Sequence, residues 1–331
     1  MQTGAIVRKL LAWLLQAVGW AMVVPLLAIA AARLFSADSR PILAVFNSLT
    51  PMLYLPAWPV ALLAGVTRRW PLLAAAGVVV VAHLGFALPE VLAAQDLPAR
   101  ARGAPHFRLF SGNVYARNTD FGSYAREIGE AQPDIVLLQE ATPAFVRVLD
   151  TEHVLDGLPY RMSVDRFDPF GAFIASRWEL RDTRVISVWD RPIGLEATVD
   201  IAGTAIKLMS IHTVAPTGNG LAEWTADLDH LASRAAAERL PLLLVGDFNA
   251  TWGHRRYRRI VSKGLTDAAA ARGDPFHMTW PRDHGDVAPL VRIDHVLTKG
   301  RRLAVTQIHV GTGTGSDHRP LIADVAVLPP A

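Results

Sequence analysis

Six short strings in the C-terminal two thirds of the chain carry side chains that can hold a cation, orient water or move a proton. RLFSGNV presents Asn113, DIVLLQE ends in Glu140, and IKLMSIH ends in His212. LLLVGDFNA presents Asp247 and Asn249, VRIDHVL carries Asp294 at its centre, and GSDHRP presents Asp317 and His318. These residue types suit metal-assisted attack of water on a phosphate ester. Glu140 and Asp317 are hard oxygen donors appropriate to Mg2+ or Mn2+. Asp247 is placed to orient or deprotonate the water, with Asn249 donating its amide to a phosphate oxygen. His212 and His318 can donate to the charge that develops or protonate the leaving oxygen. Asp294 would hold His318 in one tautomer.

Each residue also has a plain reading. Asn113 suits a turn, Glu140 a helix N-terminus, and His212 a satisfied interior position. Asp247 and Asn249 suit a local side-chain turn, Asp294 a pair with a neighbouring arginine, and Asp317 with His318 a polar loop. What favours a shared site is the recurrence of one pattern, an apolar run that stops at a polar residue. The runs at Phe107–Asn113, Asp134–Gln139, Ala205–His212, Leu242–Asp247, Arg292–Thr298 and Leu321–Leu328 read as strands. Phe121–Glu130 and Leu221–Arg239 read as helices. Strands this continuously apolar belong to sheets covered on both faces. In such proteins, sites gather where strand ends converge.

The N-terminal third is different. Leu10–Ala32 is uncharged and long enough to cross a hydrocarbon core of about 30 Å, and longer than the apolar core of a typical signal peptide. Ile42–Val66 is a second uncharged run, with Pro51, Pro56 and Pro59 predicting a kink, and Trp70–Ala93 is a third apolar run, broken only by His83 and Glu90. We therefore expect residues 1–93 to form three membrane helices, 94–105 a linker and 106–331 the catalytic domain. Up to Pro105 there are 8 basic and 3 acidic residues; from His106 onward there are 25 and 27. The sequence pI near 9.4 thus arises beside the apolar runs, which argues against a domain that coats nucleic acid by bulk charge. The absence of cysteine excludes zinc–thiolate sites, thiol catalysis and disulfides. Basic residues divide evenly between the two sides of the three spans: Arg8, Lys9, Arg68 and Arg69 against Arg33, Arg40, Arg100 and Arg102. Arg8 and Lys9 abut the first span and favour an internal N-terminus, which puts the C-terminal domain outside the cytoplasm.

The strings resemble the endonuclease/exonuclease/phosphatase superfamily, the pancreatic-deoxyribonuclease-like fold, over about His106–Val327. GDFNA (Gly246–Ala250) and SDHRP (Ser316–Pro320) carry most of the likeness. LLQE, SIH and RIDHVL follow in the family's order. The resemblance implies a four-layered α/β sandwich and divalent-metal-dependent cleavage of phosphodiesters or phosphomonoesters. It further implies that Asn113 and Glu140 help hold the metal together with Asp317. His212, Asn249 and His318 would contact the scissile phosphate, Asp247 would act on water, and Asp294 would pair with His318. Ala175–Arg177 resembles the family's Ser-Arg strand ending, where Arg177 reads as structural. Some nuclease members carry an acidic residue where this chain has Tyr115, which weakens a transfer of abasic-site endonuclease activity. With its apolar N-terminus the chain looks like bacterial members that append the catalytic domain to a few helices, a multi-pass protein of the cell membrane.

Nucleic acid is the first expected substrate. RRYRR (Arg255–Arg259) follows Asn249 closely, and an aromatic among arginines can stack on a base; the plain reading is a solvated helix face. A lipid head group or lipid-linked phosphate is the alternative, since a bilayer tether concentrates it. Trp252 and Trp280 read as packing residues that could also meet bases or lipid. A non-catalytic phosphate-binding membrane module is the remaining class.

Overall fold

The computed structural model describes residues 2–282 and 288–330. They form two compact units, one taking in the helices up to Pro89 with Trp252–Arg255, the other Glu90–Thr251 with the chain from Arg256 on.

The first unit is helical: α1 (Gln2–Phe35), α2 (Pro41–Ser48), α3 (Thr50–Leu53), α4 (Ala57–Val66) and α5 (Trp70–Val91). Two helical stretches, Gln16–Phe35 and Trp70–Val91, are long and apolar enough to cross a membrane. The stretches Pro41–Ser48 and Thr50–Val66, bent by 76° at their junction, make a third if counted as one broken span. The bend falls beside Pro51, which has no backbone donor. Val23, Leu26, Tyr54, Ala57, Leu72, Ala76 and Val79 face inward. Leu62, Val66, Val78 and Val81 are more than half exposed.

The second unit holds two six-stranded sheets. One has strand order β11-β12-β1-β2-β4-β3, the other β5-β6-β7-β8-β10-β9. In chain order the elements are β1 (His106–Asn113), α6 (Phe121–Ala131), β2 (Ile135–Gln139), α7 (Pro143–Thr151), β3 (Tyr160–Val164), β4 (Ala172–Ser176), β5 (Arg181–Val188) and β6 (Arg191–Ile201). There follow β7 (Thr204–His212), α8 (Leu221–Ala237), β8 (Leu242–Asp247), α9 (Arg255–Val261), β9 (Leu265–Asp267), α10 (Ala268–Ala271), β10 (Asp294–Lys299), β11 (Leu303–Val310) and β12 (Leu321–Val327). Side chains alternate across each strand. Leu109, Leu137, Ile174, Leu208 and Val245 meet in the core between the sheets. Phe110, Val136, Leu138 and Phe173 point the other way, onto Tyr124, Ile128, Phe145 and Leu149 of α6 and α7. α8 buries Trp224, Leu228 and Leu231. Both faces of the central strands are therefore covered, which is why their sequences run apolar without alternation. The expected α/β sandwich of two mixed sheets between helices is the fold observed.

Local signals set the helix starts. The Asp120 side chain accepts from Ser123 N at the head of α6, and Thr142 accepts from Phe145 N ahead of Pro143 in α7, both N-cap arrangements. Register then aligns the functional ends. Asn113 pairs with Gln139 across the parallel β1/β2 pair, and His212 pairs with Asp247 across the parallel β7/β8 pair. Antiparallel β10 brings Asp294 opposite Asp247. One difference from expectation lies here: Asp294 opens its strand instead of sitting mid-strand. Arg292 and Ile293 precede β10; Ile293 O still accepts from Phe248 N at 2.9 Å, while Ile293 N and Asp294 N both donate to Thr279 Oγ1.

Candidate active site

Asp247 is the hub. Its carboxylate is 1 % exposed, and Oδ2 accepts from Asn113 Nδ2 at 3.2 Å. His212 Nε2 and His318 Nε2 stand 3.6 and 3.7 Å from the same oxygen. Asn249 donates its backbone N–H to Oδ1 at 2.8 Å and its amide to Thr213 O at 2.8 Å. Getting this carboxylate to the end of β8 demands an unusual backbone. Gly246 has φ of 131°, and a Cβ there would lie 2.1 Å from Ile211 O. Asn249 and Glu140 both adopt positive φ, 46° and 55°, a conformation that non-glycine residues hold only when their surroundings fix it.

Glu140 closes the other side. Oε1 accepts from Asn113 Nδ2 at 3.0 Å, Oε2 accepts from Ala116 N at 2.9 Å, and His212 Nε2 lies 3.8 Å away. Asn113 thus bridges two carboxylates with its amide nitrogen, while its Oδ1 takes the Tyr115 N–H at 2.9 Å. His212 Nδ1 lies 3.0 Å from Pro169 O; a carbonyl can only accept, so Nδ1 carries hydrogen. His318 Nδ1 meets Asp294 Oδ2 at 2.9 Å, the expected carboxylate–imidazole pair. The structure therefore joins seven of the eight expected residues by contacts under 4 Å. The eighth, Asp317, lies beside His318 in the chain. Its Oδ2 accepts from Trp280 Nε1 at 3.3 Å, and its Oδ1 is buried without a partner among the described residues.

Electrostatics follow from this crowding. Burial, then the Asp294 charge, raise the Asp247 carboxyl to about 6, against the opposing pull of His318 and His212. For His318, burial opposes the charge, but Asp294, Asp247 and Asp317 outweigh it and lift the ring to about 10. His318 is therefore a cation at neutral pH with one nitrogen already committed. Asp247, Asp294 and His318 do offer atoms within 4.8 Å of one another, yet a charged imidazole repels a cation. Glu140 and Asp317 each offer hard oxygens, and the buried, orphaned Oδ1 of Asp317 is a donor of the kind that Mg2+ or Mn2+ would satisfy.

Other residues hold these side chains in position. Ser316 Oγ donates to Asn113 O at 2.7 Å and accepts from His318 N at 3.0 Å, tying the SDH loop to β1. Thr279 holds Asp294 as described. Tyr257, the aromatic of RRYRR, is fully buried. Its hydroxyl donates to Asp267 Oδ2 at 2.5 Å and lies 2.8 Å from His295 Nδ1. It cannot stack on a base, and Arg256 and Arg259 face Asp229 of α8 at 3.7 and 3.0 Å. Trp280 belongs to the site through its bond to Asp317.

The model of the Endonuclease/Exonuclease/phosphatase family matches residues 110–318, more than half of the chain. No curated protein matches it significantly. Among solved structures, D. rerio TDP2 complexed with a single-strand DNA product has a TM-score of 0.56 at 19 % identity, covering 67 % of this chain and 99 % of that one. An endonuclease/exonuclease/phosphatase family protein from Bacteroides thetaiotaomicron gives 0.55 at 19 %, covering 67 % and 95 %. A variant of the 3′ phosphatase NExo from Neisseria, bound to a product DNA hairpin, gives 0.51 at 18 %, covering 66 % and 98 %. At these identities the likeness is one of fold, and the family match carries the assignment: this chain belongs to the Endonuclease/Exonuclease/phosphatase family of phosphoric-ester hydrolases.

Proposed function

We propose that the protein is a membrane-anchored phosphodiesterase, dependent on Mg2+ or Mn2+, whose substrate is nucleic acid. The observation that carries this reading is the convergence of Asn113, His212 and His318 on one oxygen of Asp247, with Asn249 fixed against the other. Glu140, steadied by the Asn113 amide, and Asp317 would hold the cation, which when bound would polarise the phosphoryl oxygen and offset charge. Asp247 orients the attacking water and takes up its proton. Its raised pKa suits it to that exchange near neutrality. Asn249 and His212 donate to the non-bridging oxygens of the phosphate. His318, held charged by Asp294, donates to the phosphate as negative charge grows there. Nucleic acid ranks first because the structural relatives from D. rerio and Neisseria were solved with DNA products. Catalysis by residues at a dry, converging strand edge is independent of what the phosphate is attached to, so the substrate needs its own test.

The anchoring and orientation form part of the same proposal. The N-terminal helices cross a bacterial cell membrane three times, leaving the catalytic unit outside the cytoplasm. A side-by-side turnover panel of DNA, RNA, phospholipid and inositol phosphates, with His318→Ala as blank, tests the substrate. We expect turnover of DNA or RNA. Robust lipid hydrolysis with none of nucleic acid would replace this reading by the lipid head-group one.

A further inference from the structure

Two hairpins on the His212 flank of the site each hold an aromatic ring out in solvent. Phe167 is 80 % and Trp189 66 % exposed. Register locates both. Ala172 pairs with Gln139, so the loop before β4 opens at the same edge as Glu140. Gly194 pairs with Ile211, so the β5–β6 turn lies beyond the His212 end of β7, about 10–15 Å further along at strand rise.

Both loops are held in shape. Asp168 accepts from Arg166 Nε at 2.8 Å and from Phe170 N at 3.0 Å. Gly171 runs so close to the chain that a Cβ would lie 2.5 Å from Ala141 O. Pro169 O is the group bound to His212. Trp189 and Asp190 adopt φ of 50° and 60°, the conformation of a tight two-residue hairpin turn. Arg191 ties the two loops together. Its guanidinium lies 5.2 Å from the Phe170 ring centre and bonds buried Asp227 at 2.8 Å. Each ring stands among charges, Phe167 between Arg166 and Asp168, Trp189 beside Asp190. That setting suits one flat base against one flat ring. It disfavours entry into hydrocarbon, where the neighbouring carboxylates would have to follow.

We propose that Phe167 and Trp189 form a base-stacking rim that receives unpaired nucleotides a short way along the strand from the scissile phosphate. The proposal rests on the nucleic-acid reading above and names its recognition surface. Stacking is tolerant of base identity, so the rim selects single-stranded over base-free substrate without reading sequence.

The test uses the full chain in detergent with Mn2+, a single-stranded oligonucleotide and a strand of equal length carrying abasic positions near the cleaved bond. Removing a stacking ring weakens binding roughly five- to hundred-fold. Phe167→Ala/Trp189→Ala should therefore raise KM for the oligonucleotide by at least about tenfold and leave kcat within about twofold. Phe167→Trp and Trp189→Phe should keep the wild-type KM. Wild type should lose affinity for the abasic strand, whereas the double variant should treat both strands alike, a coupling that a merely misfolded variant does not produce. If wild type cleaves the oligonucleotide and the double variant has unchanged KM, the rim is wrong and the functional reading stands. If wild type cleaves no nucleic acid, the reading fails and takes the rim with it. Loss of association with anionic vesicles at unchanged oligonucleotide KM would assign the rings to lipid and overturn the proposal.

Discussion

At the scale of single residues, the proposed mechanism rests on two titrating groups set apart. Asp247 is pushed up to about 6 by burial and by Asp294, and His318 up to about 10 by its carboxylate neighbours against its own burial. Between those values Asp247 is ionised and able to accept a proton while His318 is charged and able to donate. The sign is clear for each: acidification below 6 protonates the base, and alkalinisation past 10 discharges the donor. We expect kcat/KM to rise from pH 5 to 7, hold level, and fall only above about pH 9; an alkaline fall centred near pH 7 would contradict the His318 assignment. His318→Ala should lose roughly 10²–10⁴-fold in kcat. These residues were legible in the sequence because each interrupts an apolar run. Their exact partners were not. The sequence offered Asn113 as a metal-holding residue, and the structure turns its amide nitrogen to Glu140 and Asp247, an orientation that depends on the neighbouring strand.

At the scale of elements, the strand ends are kept in register by a buried polar network behind them. Arg292 bonds Asp267 at 2.9 Å and also Glu90, the first residue of this unit, while His295 Nδ1 lies 2.8 Å from Arg292 Nη1. His295 Nδ1 accepts, so its Nε2–H donates to Ala250 O at 2.8 Å, fixing the end of GDFNA. Burial opposes the charge on Asp267, but Arg292, with the Tyr257 hydroxyl, outweighs it and holds the carboxyl far below its usual range. Removing one partner from such a group leaves an uncompensated buried charge. Arg292→Met should therefore destabilise the fold by about 3–5 kcal/mol, measured by thermal unfolding with the ligand-free chain. Tyr257→Phe, which leaves the ion pair intact, should lose only about 1 kcal/mol. Equal effects would show that the ion pair is not what holds this corner. The central strands were readable because both faces are covered. β5 (RDTRVISV) was not, since five of its first residues are exposed, and neither was β6, with Pro192 and Gly194 in its sequence. Tyr257 was misjudged for a related reason: the arginines around it are polar, but a helix can bury one residue of such a run while its neighbours face solvent.

At the scale of the whole molecule, the sequence separates an apolar helical third from an α/β hydrolase, and the structure gives each its own core. The long uncharged runs are what made the first readable, and Pro51 and Pro56 marked the broken span. Orientation is not written into length or apolarity, only into the basic residues that flank the apolar runs, and these are evenly divided. We expect a C-terminal alkaline phosphatase fusion to be active and a C-terminal fluorescent-protein fusion dark in a bacterial host; the reverse pair would put the catalytic unit in the cytoplasm. The central claim is hydrolysis of a phosphate ester at Asp247 with a divalent cation. Its most direct test is turnover of a labelled single-stranded oligonucleotide by the full chain, wild type against Asp247→Ala, with Mn2+ and with chelator. The account predicts cleavage by wild type with Mn2+ and a loss of at least roughly 10³-fold in the variant or with chelator. Equal rates for the two proteins, or a rate indifferent to chelation, would contradict it.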